Sequence, residues 1–284
     1  MRFKSSPENW QPREPAPVFD RGRYPAPLVT RVAAAWHRLC ADERESLIAA
    51  TSVTADLARL GAPPAIMSLG ARVIADEIRH VEVCLRVLGS LGADGAGHDR
   101  NGARENDRDE EGVSDDDDGT AAALGGTAAS ASDALERRAA RVLVARFAVG
   151  ESLSAACLAS ARAKAREPII AWGFTELLRD EARHGAFGAQ AGAWVIRDWT
   201  AGERQALWPD CVRQMESFER RIGGPVMAMA RAPFRRDTAA DALGLMTPEA
   251  SCGAIIASIP RWVLPHLSPL GVIPPASEAP SLLQ

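Results

Sequence analysis

A chain of 284 residues, 46% hydrophobic and 25% charged, carries enough apolar side chain to bury a sizeable core without a membrane to satisfy it. Its formal net charge of -4 concentrates no basic face of the kind phosphate backbones require, so nucleic acid is not an expected partner. The five cysteines, Cys40, Cys84, Cys157, Cys211 and Cys252, are scattered and form no Cys-x-x-Cys pair, which excludes a zinc-ribbon or rubredoxin-type site and suits reduced thiols in a cytoplasmic protein.

Aromatic residues are scarce, and Ala, Arg, Leu and Glu recur at helical spacing, so the expected class is all-α. Residues 1–25 are rich in proline and charge and read as an extended N-terminal arm without the apolar run of a signal peptide. No later segment reads as long and uncharged enough to span a bilayer, so no membrane is expected. The first helical pattern runs from Pro27 to Leu60 and is stopped by Gly61 and the Pro63-Pro64 pair, which opens a second helix reaching Leu91. Residues 92–131 hold almost no anchoring apolar side chain and read as a disordered acidic crossover; its Asp115–Asp118 run lacks the glycine and terminal glutamate of a calcium loop.

Asp133 and Glu136 have capping-box spacing and are expected to start a third helix that extends to Glu167. Pro168 opens a fourth, to about Trp199. Thr200 with Glu203 starts a fifth, with a break near Pro209 and an end at Gly223-Gly224. Thr247-Pro248-Glu249 suits one more start, and the tail from Ser258 is punctuated by prolines. The expected organisation is therefore an arm at 1–25, a helical body at 26–200 interrupted by the crossover, and a C-terminal helical extension at 201–284 packed on that body.

The two halves of the body share words. DEIRH at 76–80 returns as DEARH at 180–184, and the segments 45–80 and 151–184 both open on Glu-Ser-Leu; they differ by two residues, assigned here to the interhelix turn. Repetition on this scale describes a duplicated helical hairpin, two units that cover each other's apolar faces.

Residues three apart share a helix face, so Glu77 with His80, and Glu181 with His184, each aim a carboxylate and an imidazole at one point. Ile74, Val81 and Cys84 flank the first pair, Phe174 and Leu178 the second, which directs these groups into the core. Glu45 and Glu151 stand at matching places in the partner helices; Glu43 rivals Glu45 within the charged run ADERES, and the repeat alignment favours Glu45. Four buried carboxylates need counter-charge, and two divalent cations would supply it while leaving both imidazoles neutral for coordination. Such oxygen-rich ligation suits iron, or manganese or a mixed manganese–iron pair, better than structural zinc. His37, His98 and His266 have no carboxylate at ligand spacing and read as surface or core histidines.

One Glu from each of two helices plus Glu-x-x-His from each of two others resembles the ferritin-like di-iron carboxylate superfamily. The doubled Asp-Glu-x-Arg-His word is similar to the signature of bacterial di-iron monooxygenase hydroxylase subunits. The resemblance spans roughly residues 26–200 and implies a ferritin-like four-helix bundle. It implies two Fe ions held by Glu45, Glu77, His80, Glu151, Glu181 and His184. Asp76 and Asp180 would hold the histidines from behind, joined by Arg79 and Arg183. The sequence departs from known branches: the only tyrosine is Tyr24, outside the bundle; Ala155 stands where multicomponent monooxygenases carry threonine, leaving Ser154 or water to deliver protons; and Leu177 replaces the third histidine of amine N-oxygenases.

The activity so implied is a non-haem di-iron, O2-dependent oxygenase or oxidase, with Glu45 and Glu151 as its mobile catalytic carboxylates. It would act on a small organic substrate in an adjoining apolar pocket, draw electrons from an external donor, and work as a monomer or homodimer. The alternative is a ferritin-like ferroxidase serving iron storage or detoxification, for which large oligomeric shells are expected; a metal-free binding scaffold is a third reading.

Overall fold

In the computed structural model, residues 16–93, 128–221 and 238–275 are described, and among them every regular element is helical, with no strand. The crossover residues 94–127, with His98 and Asp115–Asp118, and the Gly223-Gly224 pair lie outside the described residues.

A short 3-10 turn, Arg21–Arg23, capped by the Asp20 carboxylate, leads into α1 (Ala26–Arg59). Pro25 and Pro27 set the first turn of α1, where their missing N–H groups cost nothing. Gly61, with φ at 75°, reverses the chain, and Pro64 opens α2 (Pro64–Ser90). The second hairpin starts with α3 (Ala128–Arg141), so the Asp133–Glu136 pair lies inside a helix rather than capping one. The chain then winds through ten residues of wide π-helix, Val142–Glu151, and returns to α-helix as α4 (Ser152–Lys164). Pro168 opens α5 (Pro168–Val195).

Beyond the hairpins come α6 (Ala201–Gln205), α7 (Trp208–Arg221), α8 (Thr238–Ala242), α9 (Pro248–Ser258), a π turn at Ile259–Val263, α10 (Leu264–Leu267) and a 3-10 turn at Ser268–Leu270. The expected capping box on α6 forms in both directions between Thr200 and Glu203, and Thr247 caps α9 through the Ala250 amide. The break expected near Pro209 falls just before it, with Pro209 in the first turn of α7.

Helix α1 packs along α2, α5 along the π stretch and α4, and α2 against α5. The stretch Ala131–Lys164 is long and apolar enough to cross a membrane by length and composition, contrary to the sequence expectation, but 72% of its apolar 18-residue window is buried inside the protein. The close approach of α5 explains part of this. A methyl group on Gly188 would lie 2.5 Å from the Leu143 carbonyl oxygen and closer still to the Ala148 amide nitrogen.

Two apolar cores result. One gathers Ala50, Val53, Leu57 and Val73 with Leu143, Phe147 and Phe187; the other gathers Trp36, Cys40, Val83, Cys84, Ile170 and Phe174. Between the two cores α1 carries Glu43 and Ser46 while α2 and α5 each carry aspartate, glutamate and histidine, so the polar groups form a waist sealed by oil at both ends.

Candidate metal centre

Helix α2 presents Glu77 and His80 one turn apart, and α5 presents Glu181 and His184 likewise; all four are at most 2% exposed. Glu151, the last residue of the π stretch, enters from the second hairpin and is also buried. The sixth group comes from α1, and it is Glu43.

This corrects the repeat alignment. Glu45 has a side chain 67% exposed, 3.8 Å from the Arg146 guanidinium, whereas Glu43 is buried with Oε2 3.1 Å from His80 Nδ1. The buried stripe of α1 runs Trp36, Cys40, Glu43, Ser46, Ala50, Val53 and Leu57, a 3.6-residue phase that includes Glu43 and skips Glu45. That phase was legible in the sequence. The shared Glu-Ser-Leu word obscured it.

The remaining expected residues come together. His184 Nδ1 lies 3.0 Å from Glu77 Oε1 and 3.9 Å from Glu181 Oε2, and His80 Nδ1 is 3.7 Å from both Glu77 Oε2 and Glu181 Oε1. The two imidazole rings are 5.2 Å apart. Each histidine therefore turns the same ring nitrogen, Nδ1, towards carboxylates from both α2 and α5. Donor atoms within one ion's reach occur in three overlapping sets: Glu77, His80 and His184; Glu43, His80 and Glu181; and Glu151, Glu181 and His184.

Behind this layer, Asp76 Oδ2 stands 3.6 Å from His184 Nε2, across the site. Arg79 pairs with Asp76 at 3.0 Å and with Asp180, and Arg183 pairs with Asp180 and with Asp76 at 3.3 Å, which closes a ring of four charges between α2 and α5. Sequence reasoning missed Ser46. Its hydroxyl donates to Glu151 Oε1 at 3.0 Å and accepts from Arg146 at 3.1 Å, tying the first hairpin to the second. It also missed the contact of Ser152 Oγ with His266 Nδ1 at 3.1 Å, which brings a histidine of the C-terminal extension beside the residue following Glu151.

The electrostatics are those of crowded charge taken out of water. Burial, with the neighbouring Glu77, pushes Glu151 up to about 7, and burial with Glu151 pushes Glu181 well above the usual carboxylate range. Burial likewise raises Glu43, although His80 opposes it. Burial works against charge on the histidines too, but the facing carboxylates outweigh it and raise His80 and His184 to about 10. Glu77, between both imidazoles, falls to about 2 despite its burial.

Whether these residues fit a metal can be tested on the unpaired atoms. Both oxygens of Glu77, Oε2 of Glu181, and both nitrogens of His184 are buried without a hydrogen-bond partner, although Glu77 and His184 are only 3.0 Å apart. Groups this close that do not bond one another share a focus instead. Buried unpaired polar atoms cost about 1–3 kcal/mol each, so a cluster of them calls for a cation at that focus. The cluster can hold a metal ion, and its oxygen and imidazole donors are compatible with a di-iron site.

No known protein family, curated relative or solved structure matches the chain. The site's own residues carry the functional reading.

Proposed function

We propose that the chain is a ferritin-like di-iron protein whose long helices form a four-helix bundle, and that it uses O2 to oxidise a small organic substrate with electrons from an external donor. One observation carries this reading: four carboxylates and two imidazoles from both hairpins converge in a buried waist with several donor atoms unpaired. Two divalent cations would neutralise the four carboxylates. Glu43, Glu77, His80, Glu151, Glu181 and His184 would hold them, with iron favoured and manganese or a mixed pair as the alternative.

When bound, the metal pair supplies O2 activation and redox chemistry. The chain supplies the rest. The two apolar cores exclude bulk water from the waist, and the ring of Asp76, Arg79, Asp180 and Arg183 fixes α2 against α5 so that the facing imidazoles keep their orientation. Ser46 donates to Glu151 Oε1 and leaves Oε2 for the site. Glu43 takes the mobile-carboxylate role that the sequence assigned to Glu45.

Metal analysis with optical spectroscopy tests this. The chain should bind a pair of irons, and the reduced protein should consume O2 with a transient visible absorption. Growth of a large ferric core in a high-order oligomer would replace the reading with iron storage, and absence of stoichiometric metal would remove it.

A further inference from the structure

Cys40 and Cys84 lie in the second apolar core, 3% and 0% exposed. Their register follows from the antiparallel packing of α1 on α2. Glu43 meets His80, and Trp36 and Val87 both crowd the same side of Gly173. At the other end, a methyl group on Gly70 would strike Thr54. Stepping one turn toward the start of α1 and one turn toward the end of α2 from the Glu43–His80 contact arrives at Cys40 and Cys84. Both side chains turn into the same apolar core from facing positions of the two helices. These are two thiols facing each other across the helix pair, about one helical turn, ~5 Å of rise, beyond the Glu/His cluster.

We propose that Cys40 and Cys84 form a dithiol site that reduces peroxide and closes to a disulfide, a two-electron function distinct from that of the Glu/His cluster. The Cys40 sulfur attacks one peroxide oxygen, the O–O bond breaks, and Cys40 becomes a sulfenic acid while the other oxygen leaves as water. The Cys84 sulfur then attacks the Cys40 sulfur, forms the S–S bond and expels the hydroxyl as a second water. Two thiols lose two electrons, and the peroxide gains them.

The pair is built unequally, as attacking and resolving thiols are. The neighbouring Cys84 thiol holds the Cys40 thiol down to about 7 against the effect of burial, while burial raises Cys84. Burial instead pushes Cys157 up to about 11 and Cys211 up to about 12, away from the thiolate form. A buried cysteine is ordinarily a small hydrophobe, but that role does not call for a matched partner across the helix pair. Under the proposed function an O2-reducing centre stands one turn away and is a local source of peroxide. The thiol chemistry itself does not depend on what the cluster binds.

The test treats the full-length chain, as purified and after chelation, with stoichiometric hydrogen peroxide, followed by tryptic mass spectrometry and thiol counting. The expected result is loss of two of the five thiols and a disulfide joining the peptides Leu39–Arg44 and His80–Arg86, reversed by dithiothreitol. Cys84→Ser should leave Cys40 trappable as a sulfenic acid, with no linked peptide. Retention of all five thiols, or oxidation that spares Cys40 and falls on Cys157, overturns the proposal. Metal content measured on the same samples reports on the Glu/His cluster separately, so failure of one reading is not failure of the other.

Discussion

The two hairpins contribute the same word, Asp-Glu-x-Arg-His, yet reach the site by different routes. In the first, α1 is an unbroken α-helix and only one face of it is buried, so Glu43 is selected by phase. In the second, the partner helix widens into the π stretch Val142–Glu151, where Leu143, Val144, Ala145, Phe147, Ala148, Val149, Gly150 and Glu151 are all buried. A π turn holds more residues than an α turn, so phase slips along it, and such turns gather at functional sites. Here α5 covers one side of that stretch and α7 another, which leaves hardly any solvent face. The shared Glu-Ser-Leu word, at Glu45 and at Glu151, therefore does not guarantee the same register, because the helix leading to it can be wound differently.

The largest effect is expected at the residue both hairpins depend on. Glu181 belongs to two of the three donor sets, one with Glu43 and His80 and one with Glu151 and His184. Glu181→Ala should abolish binding of at least one metal ion; full dinuclear occupancy in that variant, by metal analysis, would sink the shared site. Next, Glu43→Gln should lower metal stoichiometry or affinity by roughly tenfold or more, of the size seen when a well-placed ligand or its support is lost, whereas Glu45→Gln should change neither. Equal losses from the two would restore the repeat alignment over the helix phase.

The third comparison sets packing against packing. Gly188→Ala presses on the backbone of the π stretch and should cost about 1–3 kcal/mol in urea unfolding. Gly70→Ala meets only the Thr54 side chain, which can rotate, and should cost less. An equal cost would mean that the π stretch is no more tightly held than the first hairpin.

The smallest effect is that of pH on loading. Glu151, raised to about 7, is increasingly protonated as pH falls below that value, and His80 and His184, raised to about 10, must each shed a proton to coordinate. Metal binding should release protons and weaken steadily from pH 8 to pH 6. Calorimetry in buffers of different ionisation heat checks the sign, and pH-independent loading would contradict it.

Much of the site was open to reading because its shortest-range geometry is covalent. Residues three apart on a helix share a face in any helix, so the Glu77–His80 and Glu181–His184 pairs, and the demand of buried carboxylates for a cation, follow from spacing and chemistry alone. Helix starts at Pro64, Pro168, Thr200 and Thr247 were equally local, since capping and proline sterics act within one turn. Packing decided the rest. Which glutamate of α1 faces inward depended on how that helix rolls against α2, and the burial of Ala131–Lys164 on the helices around it. The Ser46–Glu151 bond and the placing of Cys40 and Cys84 in one core depended on register between separate helices. Those contacts are settled by the collective burial of apolar surface across several helices, and no window of sequence as short as a helical turn contains that sum.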